Sequence, residues 1–142
     1  MLELYQVNWS WNNDTDKWLQ RLFENKTILN FPSGLSTVGF RVDLDESVRP
    51  DKIADLDENP FNPLSYDVVI CDPPFSKFNK WRWLTRLAEC AKTDFIVSTP
   101  YLIPKIKNFY VHKTWLAHQG QFYLRLWIHF KRKNHRLLTD EV

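Results

Sequence analysis

The sequence predicts an α/β domain whose sheet is mostly parallel and closes with an antiparallel C-terminal hairpin. Three observations predict it. A nearly continuous β-branched run, Tyr66-Asp-Val-Val-Ile-Cys71, is followed by a helical pattern and then by a second apolar run, Asp94-Phe-Ile-Val-Ser98. Strand, helix, strand implies a parallel pair joined by a crossover. Upstream, three shorter apolar runs each end in a turn-forming or acidic cluster, and downstream two strand-like runs flank a turn at Gln119-Gly120, the second of them, Gln121 to Lys131, alternating cleanly, as a hairpin does. At 142 residues, 44% hydrophobic and 25% charged, the chain has the length of one domain and the composition to bury a core, which excludes wholesale disorder. The expected layout is an N-terminal segment and helix over 1–26, a core over 27–103 and a basic hairpin over 104–142.

Taken in order, Trp18, Leu19, Leu22 and Phe23 recur at helical spacing behind Asp14, which predicts a short amphipathic helix over Thr15–Asn25. Thr27–Phe31 reads as a buried strand stopped by Pro32, Ser33 and Gly34. Val38–Leu44 alternates, with Val38, Phe40, Val42 and Leu44 assigned to one face. Pro50, Pro60 and Pro63 break the next stretch into loops around a short strand at Lys52–Ala54. Tyr66–Cys71 has the continuous apolar character of a central strand covered on both faces, and Asp72-Pro73-Pro74-Phe75 ends it abruptly. Trp81, Leu84, Leu87 and Ala88 mark a helix over about Lys80–Lys92, with room on one face for only one of Trp81 and Trp83. Phe109–Lys113 and Phe122–Lys131 complete the hairpin.

The net charge of +2 hides a division. Acidic residues outnumber basic ones before residue 95, whereas Lys105, Lys107, Lys113, Arg125, Lys131, Arg132, Lys133 and Arg136 follow with no acid among them until Asp140. Seven aromatic residues from Phe109 to Phe130 are interleaved with those bases, a pairing that points to nucleic acid. Lys77, Lys80, Lys131, Arg132, Lys133 and Arg136 are the expected phosphate contacts. Cys71 and Cys90 form no Cys-x-x-Cys, and His112, His118, His129 and His135 lack ligand spacing, so no disulfide framework and no metal site is expected. No apolar run reaches the roughly 18 residues of a membrane span, and a cytoplasmic protein is expected.

In an open parallel sheet the ligand crevice lies beyond the carboxyl ends of the strands. Four such ends stand out: Asn30-Phe-Pro-Ser-Gly34, Asp43-Leu-Asp45, Asp55-Leu-Asp57 and Asp72-Pro-Pro-Phe75. Tyr66 to Phe75 resembles the strand and catalytic tetrapeptide, Asp/Asn/Ser-Pro-Pro-aromatic, of the S-adenosylmethionine-dependent methyltransferases that act on exocyclic amines, the N6-adenine and N4-cytosine class. The resemblance implies a Rossmann-like class I methyltransferase fold. An exocyclic amine is nucleophilic only when its nitrogen pyramidalises, and Asp72 and the Pro73 carbonyl would accept its two N–H groups while Pro74 stiffens the loop and Phe75 stacks on an extruded base. It further implies that Asn30, Phe31, Ser33 and Gly34 wrap the methionine part of the cofactor. Asp43 would bind the ribose hydroxyls with Leu44 against the adenine, and Asp55 would accept from the adenine amino group with Leu56 beside it.

The chain departs from that family in two places: Ser36 stands where a second glycine is usual, and the six residues between Gly34 and Arg41 leave no room for a helix between the first two strands. The form is pared down. The resulting expectation is a methyltransferase acting on a nucleobase amine, adenine N6 ahead of cytosine N4, in DNA or RNA. Two alternatives stand beside it: methylation of glutamine or lysine side chains in proteins, and a degenerate methyltransferase fold serving as a nucleic-acid-binding or partner subunit. Sequence-selective recognition of a duplex by so small a chain would call for a homodimer or a partner subunit, unless the substrate is mostly single-stranded.

Overall fold

The protein is described from a computed structural model, over residues 13–74, 77, 82–99, 103, 105–118 and 124–133. The elements are α1 (Asn13–Leu22), β1 (Ile28–Asn30), β2 (Phe40–Asp43), β3 (Lys52–Ile53), β4 (Tyr66–Cys71), α2 (Arg82–Ala88), β5 (Ala91–Thr99), β6 (Phe109–His118) and β7 (Leu124–Arg132), with single 3-10 turns at Glu46–Val48 and Leu56–Glu58. The strands form one seven-stranded sheet in the order β3-β2-β1-β4-β5-β7-β6. β1 to β5 run parallel, while β7 is antiparallel to both β5 and β6. From β1 the chain winds outward through β2 to β3, then returns to the other side of β1 for β4 and β5. The strand order therefore reverses between β1 and β4, which is where a doubly wound sheet opens a crevice.

Strand β4 shows why the sheet is buried on both faces. Val68 and Ile70 belong to one apolar cluster, with Leu19 and Phe23 at α1, Ile28, Val38, Ile96 and Trp127. Val69 and Cys71 point the other way, into a cluster that contains Trp83, Leu84, Leu87 and Ala88 of α2 with Phe95, Ile128 and Phe130. Alternate residues of one strand thus feed two cores, which is the pleat expressed as packing. Over the first face Trp18 meets Trp115 edge-on at 5.2 Å, and Trp115 lies parallel to Trp127 at 6.0 Å.

Several boundaries differ from the sequence expectations. α1 starts earlier, at Asn13, and stops earlier, at Leu22, with the chain turning at Asn25, which adopts a left-handed φ of 64°. α2 ends at Ala88 rather than Lys92, since Ala91 pairs with Tyr66 and opens a nine-residue β5. Strand β6 runs on to His118, with a register shift between Val111 and Lys113. The turn expected at Gln119-Gly120 lies outside the described residues.

The connection from β1 to β2 contains no helix, as its length requires. The expected one-sided alternation of Val38, Phe40, Val42 and Leu44 does not hold: Val38 packs with the α1 cluster, Val42 with the α2 cluster, and Leu44 is 60% exposed. Gly39 is the reason. Its φ of +63° breaks the pleat before β2 begins, and a Cβ there would lie 2.6 Å from the Ile28 carbonyl oxygen. Phe40 leans on the edge cluster instead, stacked at 6.3 Å on Tyr66 and edge-on to Phe61. Among the described residues no helix is long and apolar enough to cross a membrane.

Candidate functional site

The carboxyl end of β1 is held by a buried polar network. Asn30 is fully buried and donates from Nδ2 to Ser36 Oγ at 2.9 Å and to the Val38 carbonyl at 3.1 Å. Ser36 Oγ in turn donates to Asp16 Oδ1 at 2.7 Å, and Asp16 Oδ2 accepts from Thr37 N at 2.9 Å and Thr37 Oγ1 at 3.0 Å. The serine that replaces a glycine therefore ties the first loop to α1. Asn30 Oδ1 is buried and, among the described residues, accepts no hydrogen bond. Asn30 lies at the carboxyl end of β1, beside the point where the strand order reverses, and an N–H brought within its reach would satisfy this acceptor. Phe31 is buried in the α2 cluster, Ser33 is buried with its N–H on the Val42 carbonyl, and Gly34 turns the chain with φ +51°. Sequence reasoning missed Asp16, whose partners lie about twenty residues away in the chain.

At the end of β2 the Asp43 carboxylate accepts Gly34 N at 2.8 Å through Oδ2 and Asp45 N at 3.0 Å through Oδ1. It joins the first loop to the second strand end, and each oxygen keeps a second lone-pair direction for an outside donor. Leu44, beside it, offers an exposed apolar side chain. Asp55 caps the 3-10 turn at the end of β3, accepting from Asp57 N at 3.0 Å. That backbone bond lowers its pKa below the ordinary carboxylate value against a partial opposing effect of burial, with Lys77 adding to the lowering. Leu56 is 5% exposed and lies in the α2 cluster, so its side chain is core rather than an open flank for a ligand.

Lys77, expected as a phosphate contact, is instead paired with carboxylates: Nζ lies 2.8 Å from Asp57 Oδ2 and 3.3 Å from Asp55 Oδ1, which raises its pKa. Its backbone N–H bonds the Pro74 carbonyl, and its own carbonyl accepts Trp83 Nε1 at 2.7 Å. Lys77 is thus fastened to the Asp-Pro-Pro turn, to α2 and to the end of β3. Of the two tryptophans competing for one helical face, Trp83 is the one shown to be buried; Trp81 lies outside the described residues.

At the end of β4, Asp72 and Pro73 meet a group the sequence did not single out. Arg125 on β7 has no exposed surface, and its Nη2 donates to Asp72 Oδ1 at 3.0 Å, the Pro73 carbonyl at 2.8 Å and the Ser98 carbonyl at 3.0 Å. Its Nε donates to Ser98 Oγ at 3.0 Å. The Asp72 side chain is 5% exposed. Burial lowers the Arg125 pKa from its ordinary value, and the Asp72 charge partly offsets that. Pro73 is buried and Pro74 exposed; Phe75 lies outside the described residues. Cys71, one residue before, is fully buried and its thiol is pushed well up by burial and by the neighbouring Asp72 charge, so it is no nucleophile at neutral pH. Arg125 counted in the sequence only as one base of many, because fifty-three positions separate it from Asp72.

The remaining expected phosphate contacts are corrected in position. β7 is antiparallel to β5, with Lys131 opposite Asp94 and Trp127 opposite Ser98, so the chain travels away from the β4 end as it approaches its basic run. At ~3.3 Å per residue, Lys131 and Lys133 stand roughly 13 and 20 Å along the sheet from the level of Asp72. Arg132 is committed locally: it donates to the Ala91 carbonyl at 2.7 and 3.0 Å and lies over the Phe109 ring at 4.6 Å. These three residues do not border a base held at Asp72. Lys80 and Arg136 lie outside the described residues.

No family model matches the chain, and no curated protein does. Solved structures do. A candidate methyltransferase of Escherichia coli, yhhF, superposes with a TM-score of 0.58 at 14% identity, over 84% of this chain and 82% of that one. A candidate methylase of Haemophilus influenzae gives 0.57 at 17% identity, over 83% and 93%. The magnesium protoporphyrin IX methyltransferase ChlM of Synechocystis, solved with bound S-adenosylmethionine, gives 0.57 at 14% identity, over 85% and 77%. At such identities the likeness is one of fold: a mixed sheet of seven strands, parallel but for β7, in the architecture of class I methyltransferases.

Proposed function

We propose that this chain is an S-adenosylmethionine-dependent methyltransferase that modifies an exocyclic amino group of a nucleobase, adenine N6 ahead of cytosine N4, in DNA or RNA. The observation that carries the reading is the pair of acceptors at the end of β4. Asp72 Oδ1 and the Pro73 carbonyl lie beside the switch point of the sheet, close enough together to be shared by one planar NH2 group, that of Arg125. An aminopurine presents the same kind of group, a flat nitrogen conjugated with its ring. A carboxylate or carbonyl oxygen can accept along two lone-pair directions, so with Arg125 in place the amine's two N–H bonds would lie on the second direction of each acceptor; held on one side in this way, its lone pair would leave the ring plane and become available. Once alkylated, the nitrogen sheds its proton easily, so Asp72 need position it only and pass a proton on.

The cofactor reading is supported by the donor set of the crevice. The orphaned Asn30 Oδ1 suits the ammonium of the methionine part, the Asp43 carboxylate suits a vicinal diol, and exposed Leu44 suits the adenine face. Asp55 would take the adenine amino group, in competition with Lys77. When bound, S-adenosylmethionine supplies an electrophilic methyl group on sulfur. Nucleic acid as the polymer rests on the acid-free basic stretch of the sequence alone; its members Lys131 and Lys133 would meet a strand away from the target base rather than beside it, and a homodimer or partner subunit would supply sequence selection.

A second reading, a methyltransferase fold that has given up catalysis and acts as a binding or partner subunit, is favoured by one specific observation. Asp72 is 5% exposed and already salt-bridged, as a structural carboxylate would be. Incubation with labelled S-adenosylmethionine and single-stranded and duplex oligonucleotides, with the nucleosides resolved by mass spectrometry, separates the two. The proposal expects N6-methyladenine, abolished by Asp72→Ala. Cofactor binding without transfer to any acceptor, or transfer that survives Asp72→Ala, would overturn the catalytic assignment.

A further inference from the structure

Arg125 has no exposed surface, and the partners of its Nε and Nη2 are not scattered. One nitrogen gathers the carboxylate of Asp72, the carbonyl of Pro73 and the carbonyl of Ser98, while Nε holds the Ser98 hydroxyl. Ser98 sits near the end of β5, so the guanidinium spans from β7 across the end of β5 to the end of β4. It binds the turn after β4 to a fixed frame. We propose that Arg125 is a positioning residue of the methyl-transfer site, which sets the spacing of the two acceptors and cancels the charge of Asp72 so that the site takes a neutral, conjugated amine rather than an ammonium group.

The inference rests on the reading of the Asp72-Pro73 pair as the amine subsite. Two physical facts carry it beyond that reading. The turn after β4 is made of prolines, which lack an N–H, so the β-ladder cannot hold it, and a side chain must supply the donors. Arg125 does so from a position with no exposed surface, where charge-assisted hydrogen bonds are shortest and least screened. Moreover, a carboxylate that receives an ammonium substrate gains from being unpaired, whereas this one meets a buried cation at 3.0 Å. The electrostatics of the pair therefore disfavour lysine and favour adenine N6, cytosine N4 or a glutamine amide. Full burial and four hydrogen bonds also argue against Arg125 being a displaceable occupant of the amine's place.

The test compares wild type with Arg125→Met and Arg125→Lys, offering three acceptors: an oligonucleotide bearing both adenine and cytosine, a glutamine peptide and a lysine peptide. For Arg125→Met the expected result is S-adenosylhomocysteine affinity unchanged and a cooperative melt retained. Its kcat falls by roughly 100-fold with KM within about threefold, the signature of lost alignment rather than lost binding. Arg125→Lys restores charge but not the fork and recovers less than about a tenth of the wild-type kcat. A purely structural role would lower the melting temperature and leave kcat per folded site alone, which overturns the proposal. So does a gain of activity in Arg125→Met, which would mean that Arg125 occupies the amine's place. Transfer by wild type to the glutamine peptide alone would end the nucleobase reading and leave this one standing. Transfer to lysine, or to none of the three, would overturn both.

Discussion

Asp16 is the residue through which α1 reaches the candidate cofactor loop, and replacing it by alanine tests whether that loop is held as described. Its carboxylate accepts from the Ser36 hydroxyl at 2.7 Å and from both the N–H and the hydroxyl of Thr37. Ser36 is 1% exposed, so its hydroxyl proton would lose its acceptor with no water to replace it, at a cost of about 2 kcal/mol. Thr37 is exposed, and its two bonds exchange for water at about 0.5–1 kcal/mol each. Asp16→Ala is therefore expected to cost ~3–4 kcal/mol, or about 10 °C in melting temperature for a chain of this size. Asp16→Asn keeps one carbonyl-type acceptor for Thr37 and is expected to cost about half as much. Urea unfolding followed by tryptophan fluorescence and circular dichroism reads both variants, and loss of the loop should also weaken S-adenosylhomocysteine binding by at least about tenfold, or ~1.4 kcal/mol. A loss below ~1 kcal/mol for Asp16→Ala, or equal losses for the alanine and asparagine variants, would refute the reasoning.

Two further predictions concern the frame. Gly39→Ala combines a left-handed φ, worth about 1–2 kcal/mol, with a Cβ 2.6 Å from a backbone oxygen of Ile28; a total of ~3 kcal/mol or more is expected, as a lower urea midpoint with an unchanged slope. Asp94 Oδ2 lies 2.6 Å from His129 Nε2 inside the sheet. Burial alone would raise the Asp94 pKa, but hydrogen bonds from His129 and Thr93 and the charges of His129 and Lys131 outweigh it, and the net shift is downward from 3.8. A carboxylate depressed in the folded state adds stability that is present above its unfolded value and lost as pH falls through its folded one. The wild type should therefore lose stability as pH drops below about 4, and Asp94→Asn should flatten that acid limb in stability curves measured from pH 7 to pH 2. An acid limb of unchanged steepness in the variant would contradict the assignment.

How much was legible depended on whether a signal was local. β4 and the Asp72-Pro-Pro turn could be read because an apolar β-branched run and two prolines dictate their own conformation, and β1, β3, β5 and the hairpin followed from similar runs. The face assignment around Phe40 failed because one left-handed glycine resets the alternation, and nothing short of the backbone shows which way Gly39 turns. Arg125 and Asp16 were invisible as site residues, since their partners are set by strand register and helix docking over long sequence separations. Lys131–Lys133 misled for the converse reason. Nearness of a basic run to the hairpin says nothing of which end of the sheet it reaches until the direction of β7 is known.

The most direct test of the crevice between β1 and β4 is calorimetric titration with S-adenosylmethionine and S-adenosylhomocysteine, beside an Asp43→Asn variant that keeps a carbonyl for the Gly34 N–H but cannot accept from both hydroxyls of a diol. Binding in the micromolar range, weakened at least about tenfold in the variant while its melting temperature stays close to wild type, is the predicted result. No heat with either compound and an unchanged melting temperature would contradict the cofactor site and leave the fold as a scaffold for a partner.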